Sequence, residues 1–518
     1  MHKPVNHLPR TNWTTLLGVS LASFVGCIDF TIVNTAIPEI QAGLGASVSE
    51  AQWVVTLFVM ALSAFMVVTG RLADLYGRRK ALYAGMAVFG IASIGAGAAP
   101  SIEVLIAFRF AQGAGVAALY TASAAIVSNA FTEQERGRAI GLLFAANGIG
   151  LAIGPVAGGL LVGFLGWRWV FFVNVPFLVL SAALCLASVR ESRDETDTNA
   201  IDWYGVGLLT AGLFCLLLGI TQGMDWGWTS LPTLAAIGGG LCLLALFVLV
   251  ESRVAAPLVQ FGLFANRRFA AAGVATFALA FFYCSAFFLM PLYLSVVRGY
   301  DSMLTGFMLL PTSALVALTS PLVGRLADKY GPARLLVAGL SLLAVSAGLQ
   351  MMFSGGSNIA LVIVAFMVMG LGWGCILGPS TVAALASVPE RLGGVAMGAS
   401  WTIHNVGGAI GLVLSTLIYR LFAGNALYRT AHFTADADPA LVGRLVSEPA
   451  TAMERLTSLA DGVVNPAALI DGYFMSGYRA AMGLLVLATL LALIANVALG
   501  RPRAGARQRP ASKSMMLQ

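Results

Sequence analysis

Charge is what this chain has least of: 10% of its 518 residues are charged, 23 of them acidic, against 58% hydrophobic residues. A soluble globule of this length needs far more polar surface, so that class is excluded and lipid must cover much of the protein. Histidine is almost as scarce, with four copies. His2 and His7 lie in the first few residues, His432 in a polar stretch, and His404 alone in an apolar one. Local spacing builds no metal cluster from them. The six cysteines stand singly inside apolar stretches without CxxC spacing, which argues for packing residues over a disulfide framework or zinc site. A formal net charge of +7 would suit nucleic acid if the basic residues shared a soluble face, but they fall in short clusters between long apolar runs. We therefore expect membrane lipid, and no nucleic acid, as the partner.

What the chain does have is fourteen apolar stretches, each near the 20 residues that cross a bilayer. The first, from about 13 to 36, is too long for a signal peptide's apolar core and is read as a span that stays. Placing both termini in the cytoplasm puts 22 of the 30 Lys and Arg residues on the cytoplasmic side, and the opposite orientation puts most of them outside. The expected location is the cell (inner, cytoplasmic) membrane, crossed many times. A long connection at 424–477 then lies outside, and 500–518 forms a basic cytoplasmic tail.

An internal repeat organises the spans. The run from Gly70 to Arg78, containing Arg71, Asp74 and Gly77, reappears from Gly324 to Pro332 with Arg325 and Asp328 in register. The first copy joins spans two and three and the second joins spans ten and eleven. This predicts two six-helix bundles, 13–189 and 270–499, with an inserted helix pair at 201–250.

Four motifs carry a family resemblance over nearly the whole chain. Gly70 to Lys80 matches the loop motif of the major facilitator superfamily. Ile28-Asp29-Phe30-Thr31 through Pro38, Arg109-Phe110-Ala111-Gln112-Gly113, and Gly150 to Gly159 with Gly154-Pro155 resemble the first-, fourth- and fifth-span motifs of its fourteen-span drug:proton antiporters, and Trp167-Arg168-Trp169 through Asn174-Val175-Pro176 also fits. The resemblance implies an all-α membrane protein of major facilitator fold and a multidrug efflux function connected with antibiotic resistance. Proton-coupled antiport of small lipophilic compounds, organic cations among them, would be driven by the proton gradient without a cofactor, and an accessory export protein is conceivable as a partner. Export of an endogenous metabolite such as a siderophore, lipid or antibiotic is the alternative. An integral membrane enzyme ranks well below both, since no catalytic constellation is visible.

Individual residues can be given expected roles. An ionisable group inside a span is costly and therefore a functional candidate. Asp29 and Arg109 each lie nine residues from a proline at an outer boundary, Pro38 and Pro100, hence at a similar depth of roughly 13 Å at 1.5 Å per residue. We expect them to meet across the first half and to carry proton coupling, with His404 a secondary candidate. Burial and the nearby Arg109 act in opposite directions on Asp29, so a conformational change could load or unload its proton. The first span of the second half has no acidic residue. Asp74, with Arg71, Arg78 and Arg79 in reach, is expected to latch the halves on the cytoplasmic side together with Gly70, Gly77, Asp328 and Arg325. Gly150, Gly154, Gly158 and Gly159 should let another helix approach closely, and Pro155 should bend their own. Trp53, Tyr120, Asn147, Tyr283, Phe287, Trp373 and Trp401 are the expected substrate-cavity residues.

Overall fold

The computed structural model describes residues 13–46, 48–192, 202–254, 258, 262–300, 302–430 and 466–500. The basic tail and most of the external connection expected from the sequence lie outside the described residues. Among the described residues, fourteen helices are long and apolar enough to cross a membrane. In the first half they are α1 (Trp13–Leu44), α2 (Val48–Tyr76), α3 (Arg78–Gly97), α4 (Ile102–Ala130), α5 (Glu133–Leu165) and α6 (Trp169–Ser188). The inserted pair is α7 (Trp203–Trp226) and α8 (Leu231–Glu251). The second half comprises α9 (Arg267–Leu292), α10 (Ser302–Tyr330), α11 (Pro332–Met351), α12 (Ile359–Ala386), α13 (Gly393–Thr430) and α14 (Pro466–Gly500).

The apolar runs make helices because lipid leaves backbone amides no partner except one another. Glycine punctuates them. Gly77 and Gly331 hold φ angles of 116° and 82° in the two repeated loops, a conformation that side chains rarely adopt, and each starts the next helix within one residue. Proline shapes two of the spans from inside. Pro176 lacks the N–H that would bond the Phe172 carbonyl, and α6 is interrupted at Val173. Pro291 precedes a π-helical turn, Tyr293–Val297, that prolongs α9.

The halves repeat each other in three dimensions. In the first, α3 packs on α4 and α5 lies along α1; in the second, α11 packs on α12 and α13 lies along α9. Gly113 of α4 faces the Phe58 carbonyl of α2, and Gly370 of α12 faces the Thr312 carbonyl of α10. Gly154 of α5 faces the Ile28 carbonyl of α1, and Gly411 of α13 faces the Phe281 carbonyl of α9. These matched approaches set the register between the halves residue by residue.

The two most extensive helix crossings between the halves are α2 with α13 and α5 with α10. The inserted α7 packs on α2 and also touches α13, so it flanks one of these crossings, with Leu209 and Leu213 buried beside Ala64 and Val67. Its partner α8 packs on α7 and turns most of its surface outward.

Candidate functional site

Three groups of residues converge on the interface and on the first half. The first surrounds Asp29, which is fully buried on α1. One carboxylate oxygen accepts from the Arg109 guanidinium at 2.5 Å, and the other accepts from Asn174 Nδ2 at 2.8 Å. Arg109, fully buried on α4, also donates to the Val54 carbonyl at 2.9 Å and to Gln112 Oε1 at 3.0 Å. Gln112 Nε2 donates in turn to Ser93 Oγ at 2.8 Å, and the guanidinium carbon stands 4.1 Å from the centre of the Phe58 ring. Five helices thus contribute to one sealed polar network. The expected meeting of Asp29 and Arg109 is seen. Gln112 and Asn174 lie within motifs recognised in the sequence, yet only the packing assigns them partners; their signal was an amide side chain inside an apolar span.

The matched register gives this network an internal comparison. One residue beyond Ile28 stands Asp29, and one beyond Phe281 stands Phe282; four residues before Gly113 stands Arg109, and four before Gly370 stands Phe366. Gln112 is likewise matched by Met369. All three counterparts are fully buried. The same backbone scaffold therefore closes around apolar side chains in the second half and around an ion pair in the first.

The second group lies at the cytoplasmic crossings. Asp74, fully buried at the end of α2, receives Arg78 Nε at 3.0 Å and Nη2 at 2.9 Å. It also accepts from the backbone N–H groups of Gly394 and Val395, each at 2.9 Å, in the first turn of α13. Arg78 reaches on to the Glu390 carbonyl of the opposite half. At the matching crossing, Asp328 of α10 accepts from the N–H groups of Gly137 at 2.7 Å and Arg138 at 3.0 Å, near the start of α5. Asp74 thus sits against the positive end of a helix from the other half, whereas Asp328 meets backbone amides one turn further into α5. Side-chain atoms at Gly70 or Gly394 would run into the facing carbonyl, and the same holds for Gly324 and Gly137, so backbone meets backbone at both crossings.

The remaining loop residues differ in placement. Arg71 is buried, and Arg325, its counterpart, is exposed. Arg79 turns from Asp74 toward the Tyr83 ring, 5.6 Å from its centre, while its backbone N–H donates to Glu191. Of the glycines on α5, Gly150 packs on Phe24 and Cys27, Gly154 on Thr31, and Gly158 on Thr35, as a close-approach stripe should. Gly159 corrects the expectation: one position round the helix from Gly158, it faces open space.

The third group is an aromatic wall. Tyr120 of α4 stacks on Trp401 of α13, ring centres 5.5 Å apart and planes 27° apart, and Phe144 of α5 stands 6.4 Å from the same indole. Trp401 meets the imidazole of His404 edge-on at 5.0 Å; His404 stacks on Tyr283, and Tyr283 on Trp373 at 4.5 Å. Phe287 meets Trp373 at a right angle. His404 Nδ1 lies 3.0 Å from the Thr276 hydroxyl. The register matches Asn147 with His404 and Phe144 with Trp401, so each half contributes a ring and, one turn on, a polar side chain. Six expected residues, counting His404, are joined in this chain of rings. Trp53 stands apart, half-buried near the outer end of α2, with no ring contact to them among the described residues.

Two pseudo-equivalent six-helix halves, hydrogen-bonded to each other at two crossings and sharing a wall of aromatic rings, define a membrane transporter of the two-bundle type. The chain belongs to the Major Facilitator Superfamily, whose family model matches residues 19–412. It is 38% identical over 407 residues to Multidrug resistance protein Stp of Mycobacterium tuberculosis (strain CDC 1551 / Oshkosh), covering 78% of this chain and 75% of that protein. It is 30% identical over 410 residues to the Tetracenomycin C resistance and export protein of Streptomyces glaucescens, covering 79% and 76%. The solved structure of the human organic anion transporter MFSD10 (TETRAN) superposes with a TM-score of 0.62 at 12% identity, over 93% of this chain and 99% of that one, a likeness of fold.

Proposed function

We propose that this protein exports small lipophilic compounds across the cell membrane in exchange for protons, and that Asp29 carries the proton. The observation that carries the reading is the contrast between the halves. A buried ion pair is usually no more stable than apolar residues of similar volume, and here the matched half packs Phe282 and Phe366 at the same register. Packing alone therefore does not call for Asp29 and Arg109, whereas a proton carrier needs a titratable group inside the membrane. Export rather than uptake is supported by the likeness to a multidrug resistance protein and to a resistance and export protein.

The mechanism follows from charge balance. A proton on Asp29 would leave the Arg109 guanidinium without a counter-charge in a sealed site, which costs several kcal/mol. Loading thus has to accompany a movement of α1 against α4 that gives Arg109 water or another partner. Arg109 also holds the Val54 carbonyl of α2, and α2 carries Asp74 at its cytoplasmic end. A shift at the ion pair is thereby linked through one helix to the seal between the halves. The Asp74 and Asp328 latches hold the cytoplasmic side shut, and their release opens it to cargo.

The test is movement of a fluorescent lipophilic compound into inverted vesicles under an imposed pH gradient, for the wild type and Asp29→Asn. Gradient-driven uptake by the wild type and its loss in the variant are expected. Full gradient-driven transport by the variant removes the carrier role. A wild type inert to a broad panel of lipophilic compounds favours a dedicated endogenous cargo instead.

A further inference from the structure

The aromatic wall crosses the seam between the halves. Tyr120 belongs to the first half and Trp401 to the second, and their rings lie nearly parallel. A motion that parts α13 from α4 at the level of these rings breaks this stack and bares two facing aromatic surfaces. Those surfaces are the geometry a flat aromatic guest would complete. Among the buried polar atoms that the structure leaves without a partner are Asn147 Oδ1, one turn along α5 from Phe144, on a residue 5% exposed, and Trp373 Nε1, on the indole stacked against Tyr283, on a residue 7% exposed. Buried polar atoms without partners are rare and call for an explanation. A guest bearing one N–H and one carbonyl would satisfy both.

Charge separates the possible guests. Aromatic faces attract cations, but a cation drawn out of water also needs a counter-ion. Among the described residues no carboxylate belongs to this ring cluster; the nearest, Asp29 on the neighbouring α1, is paired with Arg109 while the cytoplasmic side is closed. Stacking and neutral hydrogen bonds are all that the wall supplies.

We propose that the cargo captured here is a neutral, planar, aromatic molecule carrying both a hydrogen-bond donor and an acceptor, taken between Tyr120 and Trp401 when the cytoplasmic side opens and oriented by Asn147 and Trp373. This deepens the export reading and rests on it. Acridone and N-methylacridinium form a suitable probe pair: both are flat three-ring molecules, one neutral with an N–H and a carbonyl, the other a permanent cation without either. Transport of each is followed by fluorescence in inverted vesicles holding the full-length protein, and binding by fluorescence titration in lipid nanodiscs.

The expected result is at least about tenfold tighter binding and faster transport of acridone than of N-methylacridinium, the scale of one well-made buried hydrogen bond. Trp401→Leu should cost acridone a similar factor, and Trp401→Phe, which keeps a ring, should recover most of it. Asn147→Leu should weaken acridone about tenfold, and Asn147→Asp should shift the preference toward the cation. Equal or better handling of the cation by the wild type overturns the proposal and leaves export standing, as does acridone transport insensitive to Trp401→Leu and Asn147→Leu alike. Failure to bind or move either probe, with other lipophilic compounds still exported, overturns the proposal alone; failure with every compound tested overturns the export reading too.

Discussion

The Asp29–Arg109 pair yields the most demanding prediction, because both side chains are sealed and the contact is 2.5 Å long. Asp29→Asn leaves a buried guanidinium without its counter-charge, and Arg109→Gln leaves a buried carboxylate. Each should lower stability by about 3–5 kcal/mol. The double variant removes both charges at once, and the apolar counterpart residues Phe282 and Phe366 show that the scaffold accepts this register uncharged. It should recover most of the loss, so that the coupling in a double-mutant cycle approaches the sum of the two single losses, roughly 6 kcal/mol or more. At about 2–4 °C per kcal/mol for a bundle of this size, the single variants should melt on the order of 10 °C lower and the double variant near the wild type. Thermal unfolding in detergent, followed by thiol-reactive dye, reads this directly. Additive effects with a coupling under about 1 kcal/mol would refute the reasoning, since water would then be reaching charges that we describe as sealed. The same double variant should be folded yet deaf to a pH gradient.

Three further predictions concern the seal and the helix contacts. Asp74→Asn should shift the protein toward cytoplasm-open states more strongly than Asp328→Asn, because it also strands the buried Arg78. Distances between spin labels on the cytoplasmic ends of α2 and α13 check this. Gly154→Val, which meets Thr31 and the Ile28 carbonyl, should lose well over 1 kcal/mol; Gly159→Val, facing open space, should stay within about 0.5 kcal/mol, as paired melting curves can show. Glu390→Gln, which removes a partly exposed ion pair to Arg136 of 3.5 Å, should change stability by less than about 1 kcal/mol and lose even that effect at high salt.

Much of the architecture was legible in the chain because lipid imposes a simple rule on spans. The count of fourteen, the inserted pair and the repeat all follow from apolar length and from one duplicated loop. The ends were less legible. α1 continues past Pro38 to Leu44 and α13 reaches Thr430, since a helix goes on beyond the hydrocarbon where its composition no longer betrays it. Asp29 and Arg109 announced themselves as charges in apolar surroundings. Arg78 was legible as a partner of Asp74, but its partners in the other half were not, because they are the backbone N–H groups of Gly394 and Val395, and a backbone amide has no residue type to read. Gly159 shows the opposite failure. Its neighbourhood in a glycine-rich run suggested contact, and only the helix phase reveals that it faces away.

The crossings at Gly70 with Gly394 and at Gly324 with Gly137 are made of main chain and capped by two carboxylates. As the proposed gate, such backbone crossings make little demand on the aromatic side chains of the wall. The rings and amides of the wall can therefore be exchanged over generations without retuning how the door closes. On the proposed reading, a lineage of such proteins can explore new cargo while inheriting one gate unchanged.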